Sequence, residues 1–306
     1  MKRKILVTGS NGLLGQKLTE QLAEHPEFSL IATAKGENRN PFNTGYLYES
    51  MDIGNARETE AVILKHLPDV LINTAAITNV DACESEKELC LALNVNAVKY
   101  LTDAMNKVNG HIIHLSTDFI FDGTSGPYDE EATAHPLSFY ADSKLMGEQV
   151  IQTFARSWSI ARTIIVYGVV ADMSRSNVIL WVKKNLEEGK PIKVVNDQFR
   201  TPTLADDLAK GCIALAEKKA EGIFNIAGKD QMSIYELALR VADFWHLDKS
   251  LITPSTSDTL KQPAKRPPVT GLRIEKAKKV LGYEPVSFEE GLNAVDEQLK
   301  RFSANS

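Results

Sequence analysis

The chain has 306 residues, 43% of them apolar and 25% charged, with a formal net charge of -5. This is the make-up of a soluble globular protein longer than one average domain, and its mild acidity disfavours nucleic acid or an anionic membrane as the main partner. No secretory signal precedes the first strand and no apolar run approaches the roughly eighteen residues that span a bilayer, so a cytoplasmic protein is expected.

Residues 4–8 (KILVT) read as a short buried strand. A glycine-rich turn follows, then a helix over 12–24 with Leu14, Leu18 and Leu22 on one face. Strands are expected at 28–34 and 69–75. A long helix over 83–107 leads to a strand at 111–116 (HIIHLS), then a helix at 139–154 and a strand at 160–167. Strands alternating with helices imply an α/β fold, a doubly wound parallel sheet covered on both faces. Beyond Gly168 the rhythm changes. The stretches 174–188, 233–245 and 288–301 read as helices of a smaller mixed α/β C-terminal lobe. Two of them start with capping-box spacings, Ser233-x-x-Glu236 and Ser287-x-x-Glu290. The segment 253–270 has four prolines and little periodicity, and reads as a surface loop of the kind that covers a site. Cys83, Cys90 and Cys212 form no CxxC pair and read as reduced thiols. No metal site is expected: His111 and His114 are the nearest pair of histidines, and their odd separation on a strand points them to opposite faces.

The turn Gly9-Ser10-Asn11-Gly12-Leu13-Leu14-Gly15 places glycines three apart between a strand and a helix. Glycine lets the backbone approach a pyrophosphate, and the helix N-terminus offers N–H groups and a positive dipole end. Glycines also serve tight turns for conformational reasons alone. Strand, turn and helix together point to dinucleotide binding, and the spacing resembles the extended short-chain dehydrogenase/reductase group, many of whose members act on nucleotide sugars. An NAD-selective site usually has an acid at the end of the second strand. Here Lys35 and Arg39 follow Ala34, a setting that welcomes a 2′-phosphate. NADPH is therefore the expected cofactor, with NADH admissible, and the alternative is that both are solvated loop charges.

Tyr140 and Lys144 lie four apart on a predicted helix, hence on one face. An ammonium beside a phenol favours the phenolate and draws its pKa down from about 10, making Tyr140 a proton donor to a ketone that receives hydride. Lys144 can also hold the nicotinamide ribose. Thr117, ending the strand 23 residues earlier, can steady the carbonyl oxygen. Each feature alone is common on unrelated proteins; their order and spacing after the glycine turn carry the reading.

The run 115–123 (LSTDFIFDG) is similar to the STDYVFDG signature of dTDP-4-dehydrorhamnose reductases. Pro127-Tyr-Asp-Glu130, Pro136-Leu137, Gly147-Glu148, Arg162-Thr163, Tyr167-Gly168, Asn196-Asp197-Gln198, Pro202-Thr203 and Arg266-Pro267 continue the match, which runs from Lys4 to about Tyr283. The resemblance implies a dinucleotide-binding domain (1–169 with 196–228) and a substrate lobe (170–195 with 229–306). It implies reduction of a C4 ketone to give dTDP-L-rhamnose, with Thr117, Tyr140 and Lys144 catalytic and a homodimer compatible. Asp52 and Ile53 fall where the family sets an acid against adenine, and Thr74, Ala75 and Ala76 where small residues let the cofactor pass. Thr78, Val80, Thr117 and Asp118 fall near the sugar.

Three departures lie in parts that choose the substrate. Ile165 stands where tryptophan is common, Arg200 where glycine is common, and Arg273-Ile-Glu where Arg-Leu-Asp is common. Ile165 is expected to leave a roomier pocket, or else to pack in the core. Arg200 is expected to add a donor toward a diphosphate or a sugar hydroxyl. Dehydratases typically show Thr-Asp-Glu, whereas this chain has Thr117-Asp118-Phe119, which disfavours elimination. An epimerase stays open. So does a non-catalytic subunit resembling the β subunit of methionine adenosyltransferase, which the intact Thr117, Tyr140 and Lys144 do not exclude.

Overall fold

The computed structural model describes residues 2–41, 43–171, 177–260 and 262–304. Seven strands form one parallel sheet: β1 (Arg3–Thr8), β2 (Phe28–Ala34), β3 (Leu47–Ser50), β4 (Val70–Asn73), β5 (His111–Thr117), β6 (Trp158–Thr163) and β7 (Gly222–Asn225). Their spatial order is β7-β6-β5-β4-β1-β2-β3, a doubly wound arrangement whose direction of winding reverses between β1 and β4. The strands read as apolar runs because both faces are covered. Ile5 pairs with Leu30 and Val70, and all three face one core; Leu6 pairs with Ile31 and Leu71, and these face the other.

The first core is closed by α1 (Leu13–Ala23), through Leu18 and Leu22, and by α6 (Ala205–Lys218), through Leu208, Cys212 and Leu215. On the opposite face lie α2 (Ala56–His66), α3 (Ala97–Lys107) and α4 (Phe139–Phe154), which contribute Val62, Leu101 and Ile151. Burying each such leucine or isoleucine contributes about 1.5–3 kcal/mol. A separate core gathers α5 (Val178–Glu187), α7 (Ile234–Phe244) and α8 (Phe288–Ala304) around Val182, Leu237 and Leu292. Both capping boxes form. Ser233 exchanges bonds with Glu236, and the Ser287 and Glu290 amides each find the other's side chain at 2.7 and 3.3 Å.

Several boundaries differ from expectation. The predicted helix 83–107 is broken into Ala82–Ser85, Lys87–Leu91, a π-helical turn Ala92–Asn96, and α3. The predicted strand 160–167 ends at Thr163; Val166–Tyr167 pairs instead with Thr203–Leu204, after a left-handed residue, Ile165, at φ +34°. The strand expected at 69–75 ends at Asn73. Part of the expected loop 253–270 is regular: Ile252–Ser255 runs parallel to Ile192–Val195, and Ser257–Leu260 is a helical turn. The start of the helix expected at 174 lies outside the described residues; from Asn177, whose side chain caps Ile179 and Leu180, the helix is present. Strand β3, with the pattern LYES on an exposed edge, strand β7 at the other edge, and helices α2 and α6 lie outside the elements expected from the sequence. Among the described residues no helix is long and apolar enough to cross a membrane, and no three His, Cys, Asp or Glu side chains form a metal-binding group.

Candidate active site

The carboxyl ends of β1, β4, β5 and β6 open into a cavity of about 530 Å³ that runs from the glycine turn to Tyr140 and Ile165. At its near end Gly9 has φ +66°, and a Cβ there would lie 2.8 Å from the Thr74 hydroxyl oxygen; a Cβ on Gly15 would lie 2.2 Å from the Gly9 carbonyl. Only glycine lets the turn close this tightly onto β4. Gly12 caps α1 without a side chain and no acid occupies the first helical turn. The first N–H groups of α1 therefore have no side-chain acceptor from the cap and a positive dipole end behind them. Ser10 Oγ is buried without a hydrogen-bond partner, and so are Ser116 Oγ and Thr163 Oγ1 beside the cavity. Such polar atoms fit an anionic, hydrogen-bonding ligand such as a dinucleotide.

Asn11 holds the loop after β2 against the turn. Its amide donates to the Glu37 carbonyl (2.8 Å) and its oxygen accepts from the Arg39 amide (2.8 Å). Lys35 is exposed and pairs with Asp52 at 2.7 Å, which holds the Asp52 carboxyl below its ordinary range. The two charges therefore meet each other rather than standing apart. Ile53 is buried in the core rather than on the cavity wall. Thr74 Oγ1 donates to the Thr8 carbonyl (2.7 Å), and Thr74 and Ala76 line the cavity while Ala75 packs against the core behind it.

Helix α4, capped by Ser138, brings Tyr140 and Lys144 to the cavity wall on one face, and β5 ends beside them in Thr117. Tyr140 and Thr117 line the same cavity. Lys144 Nζ donates to the Leu115 carbonyl at 2.7 Å, and burial lowers its pKa to about 8. The phenol moves the other way from expectation. Burial pushes Tyr140 up, the Asp118, Cys83 and Cys90 side chains push in the same direction, and only the Thr117 hydroxyl opposes them. Lys144 is not among the groups that shift it; its ammonium is turned to the Leu115 carbonyl.

Thr78, Val80, Asp118 and Ile165 line the far part of the cavity. Ile165 is half-buried against both cores, and its positive φ, uncommon for a β-branched residue, turns the chain out of β6. Arg200 does not line the cavity. It is 1% exposed, and its guanidinium donates to the Phe199, Pro267 and Pro268 carbonyls. The expected donor to a ligand is thus engaged by backbone.

Asn94 was missed in the sequence. Lying in the π-helical turn, it is buried and bonds both backbone groups of Ile77 and the Ser143 hydroxyl, which in turn donates to the Tyr140 carbonyl. Gly147 allows this approach, since a Cβ there would lie 2.6 Å from the Asn94 carbonyl. Nothing in the sequence marks Asn94, because the π turn that aims it is set by packing. Cys83 and Cys90 also pack against Tyr140, with their sulfurs 2.7 Å apart.

A family model described as the RmlD substrate binding domain matches residues 3–301. The chain is 31% identical over 261 residues to methionine adenosyltransferase 2 subunit beta of Xenopus laevis, covering 84% of this chain and 76% of that protein. Among solved structures it is similar to a dTDP-4-dehydrorhamnose reductase of Clostridium acetobutylicum, with a TM-score of 0.86, 30% identity, and 97% and 99% of the two chains covered. The dTDP-4-dehydrorhamnose reductase of Bacillus anthracis, solved in complex with NADP, superposes with a TM-score of 0.85 at 25% identity over 97% of this chain and 100% of that one.

Proposed function

The chain belongs to the family described as the RmlD substrate binding domain, and on that premise we propose that it is an NADPH-dependent reductase of a nucleotide-linked 4-keto-6-deoxy sugar. The substrate that its reductase relatives are named for, dTDP-4-dehydrorhamnose, is the first candidate, with dTDP-L-rhamnose as product. The observation that carries the reading is the meeting of Thr117, Tyr140 and Lys144 at one end of a cavity whose other end is the glycine turn. In this reading 1–169 with 196–228 bind the dinucleotide and 170–195 with 229–306 hold the sugar.

The bound reduced nicotinamide would supply hydride to the ketone carbon. Gly9, Ser10, Asn11, Gly12, Leu13, Leu14 and Gly15 would hold its pyrophosphate, Lys35 and Arg39 its 2′-phosphate, and Lys144 its nicotinamide ribose. Thr117 orients the ketone oxygen, and Tyr140 delivers the proton to it. Lys144, with a pKa of about 8, is mostly protonated at neutral pH, and its ammonium is held by the Leu115 carbonyl. Thr78, Val80, Asp118 and Ile165, which line the cavity, would face the sugar.

The test is NADPH oxidation over a panel of nucleotide-linked 4-keto sugars, in wild type and Tyr140→Phe. Turnover is expected to fall by about two to four orders of magnitude with cofactor affinity nearly intact. A mutant retaining more than a tenth of the wild-type rate would remove Tyr140 from the proton-donor role.

The likeness to a methionine adenosyltransferase subunit supports a second reading, a binding subunit that uses the same scaffold without turnover. Absence of turnover with every sugar in the panel, together with retention of a methionine adenosyltransferase catalytic chain on a column, would favour it. An epimerase would carry tightly held oxidised cofactor, visible in the absorbance of the purified protein.

A further inference from the structure

The loop that leaves β2 carries Lys35 and Arg39, and it is tied down from three sides. It turns at Gly36, which is left-handed at φ +80°. On the side of the glycine turn, the Asn11 amide donates to the Glu37 carbonyl and the Asn11 oxygen accepts from the Arg39 N–H, each at 2.8 Å. The Asn11 side chain is thereby committed to the loop, which leaves its main chain for the pyrophosphate.

The second side is β3. Parallel pairing sets Tyr48 opposite Ala32 and Ser50 opposite Ala34, the last residue of β2, and side chains two apart on a strand share a face. The half-buried Tyr48 hydroxyl donates to the Gly36 carbonyl at 2.6 Å and lies 3.2 Å from the Ala34 carbonyl. Ser50 Oγ accepts from the Gly36 N–H at 3.2 Å. The third tie is Tyr46, whose hydroxyl accepts from the Asn38 amide at 3.0 Å while the Asn38 oxygen accepts from the Asn40 N–H at 3.1 Å. Surface loops are ordinarily mobile, and a loop already held in one shape gives up less entropy when a ligand binds.

We propose that Tyr48 is a positioning residue which, together with Asn11, presets the loop 35–40 to receive a ribose 2′-phosphate, so that preference for a phosphorylated adenosine is controlled from β3. This rests on the reading that the adenosine end of a dinucleotide lies beside this loop. It goes beyond that reading by naming the groups that shape the loop, apart from the cations that would pair with the phosphate. Lys35 stands at the start of the loop, where it meets Asp52 at 2.7 Å, and Arg39 stands near its end, beside the bond from Asn11. Charge-assisted hydrogen bonds to a phosphate depend on geometry, so the turn at Gly36 decides whether both cations reach one phosphate together. Loss of the Tyr48 hydroxyl frees the Gly36 carbonyl and lets that turn move. The 5′ side of the nucleotide does not depend on it, because the glycine turn closes through Gly9 and Gly15 against β4 and its own backbone.

The experiment measures binding alone, on the full chain, by titration calorimetry with adenosine 2′,5′-bisphosphate and adenosine 5′-monophosphate as probes. Wild type should bind the bisphosphate more tightly. In Tyr48→Phe the ratio of the two affinities should fall by about two- to tenfold, the effect of one intramolecular hydrogen bond, with the monophosphate Kd unchanged within about twofold. Ser50→Ala should lower the ratio in the same direction, and it serves if the phenylalanine variant does not fold. Amide hydrogen exchange without ligand should quicken over 35–40 in each variant and stay unchanged over 9–15. A wild-type preference that survives undiminished in whichever variant folds, exchange over 35–40 no faster than in wild type, or an equal loss of affinity for both probes would overturn this proposal alone. Equal affinities of wild type for the two probes would remove the 2′-phosphate reading itself, and the proposal with it.

Discussion

Arg162 and Glu148 form the buried ion pair that fastens the catalytic helix to the sheet, and removing Arg162 should be among the most damaging single changes in the chain. Arg162 is 4% exposed and Glu148 fully buried. The guanidinium is bidentate, with Nε and Nη2 at 3.0 and 2.8 Å from the two carboxylate oxygens, and its third arm donates to the Glu130 carbonyl at 3.1 Å. The ring of Phe121 lies 5.5 Å from the guanidinium carbon. Arg162→Met leaves the carboxylate buried and unpaired, and breaking one side of such a pair costs about 3–5 kcal/mol. At about 2.1 cal/mol/K of unfolding entropy per residue, a cooperative 306-residue chain would lose roughly 5–8 °C in Tm. Arg162→Met with Glu148→Met removes both charges and should recover most of the loss, because apolar replacement of a buried pair is often neutral. Glu148 also raises the pKa of Lys144, one turn away, so the double variant should hold Lys144 protonated less well. Thermal and urea melts followed by circular dichroism, with unchanged m-values, make the comparison. A single variant within 1 kcal/mol of wild type, or a double variant no better than the single, would refute the reasoning.

Three further outcomes are expected. Lys144 has its folded pKa lowered by burial to about 8, so between there and its ordinary 10.5 the unfolded chain binds more protons and stability from this group rises with pH; the gain in urea midpoint of Lys144→Met over wild type should therefore shrink across that window, and a constant difference would show that the lysine is not desolvated. NADPH should be preferred over NADH in kcat/KM, and Lys35→Ala with Arg39→Ala should reduce the preference; equal values for the two cofactors in wild type would exclude a 2′-phosphate site beside β2. Ile165 offers less flat area than tryptophan and no N–H donor, so wild type should discriminate poorly among C3 and C5 epimers of the sugar and Ile165→Trp should sharpen it; sharp selectivity unchanged by the substitution would remove this position from specificity.

The local pattern of the chain was enough for a parallel sheet and for five of its seven strands, because apolar runs bounded by turns and helical periodicity report burial on both faces. The glycine turn was equally legible, since Gly9 and Gly15 occupy positions where a Cβ meets backbone at under 3 Å. Tyr140 and Lys144 were visible as an i,i+4 pair, and the capping boxes at Ser233 and Ser287 as local chemistry. Tertiary packing decided the rest. The predicted 83–107 helix breaks into a π turn that aims Asn94, and Gly147 lets α4 pack closely against that turn. The direction of the Tyr140 shift depended on how deeply the phenol is buried and on Lys144 turning to Leu115, neither of which a four-residue spacing encodes. Arg200 read as a free donor, and only the folded chain sets three carbonyls and Asp118 around it. Spacing along a chain fixes which side chains share a face of one element; the partner each finds is fixed by elements 29 to 82 residues away, whose approach no local pattern records.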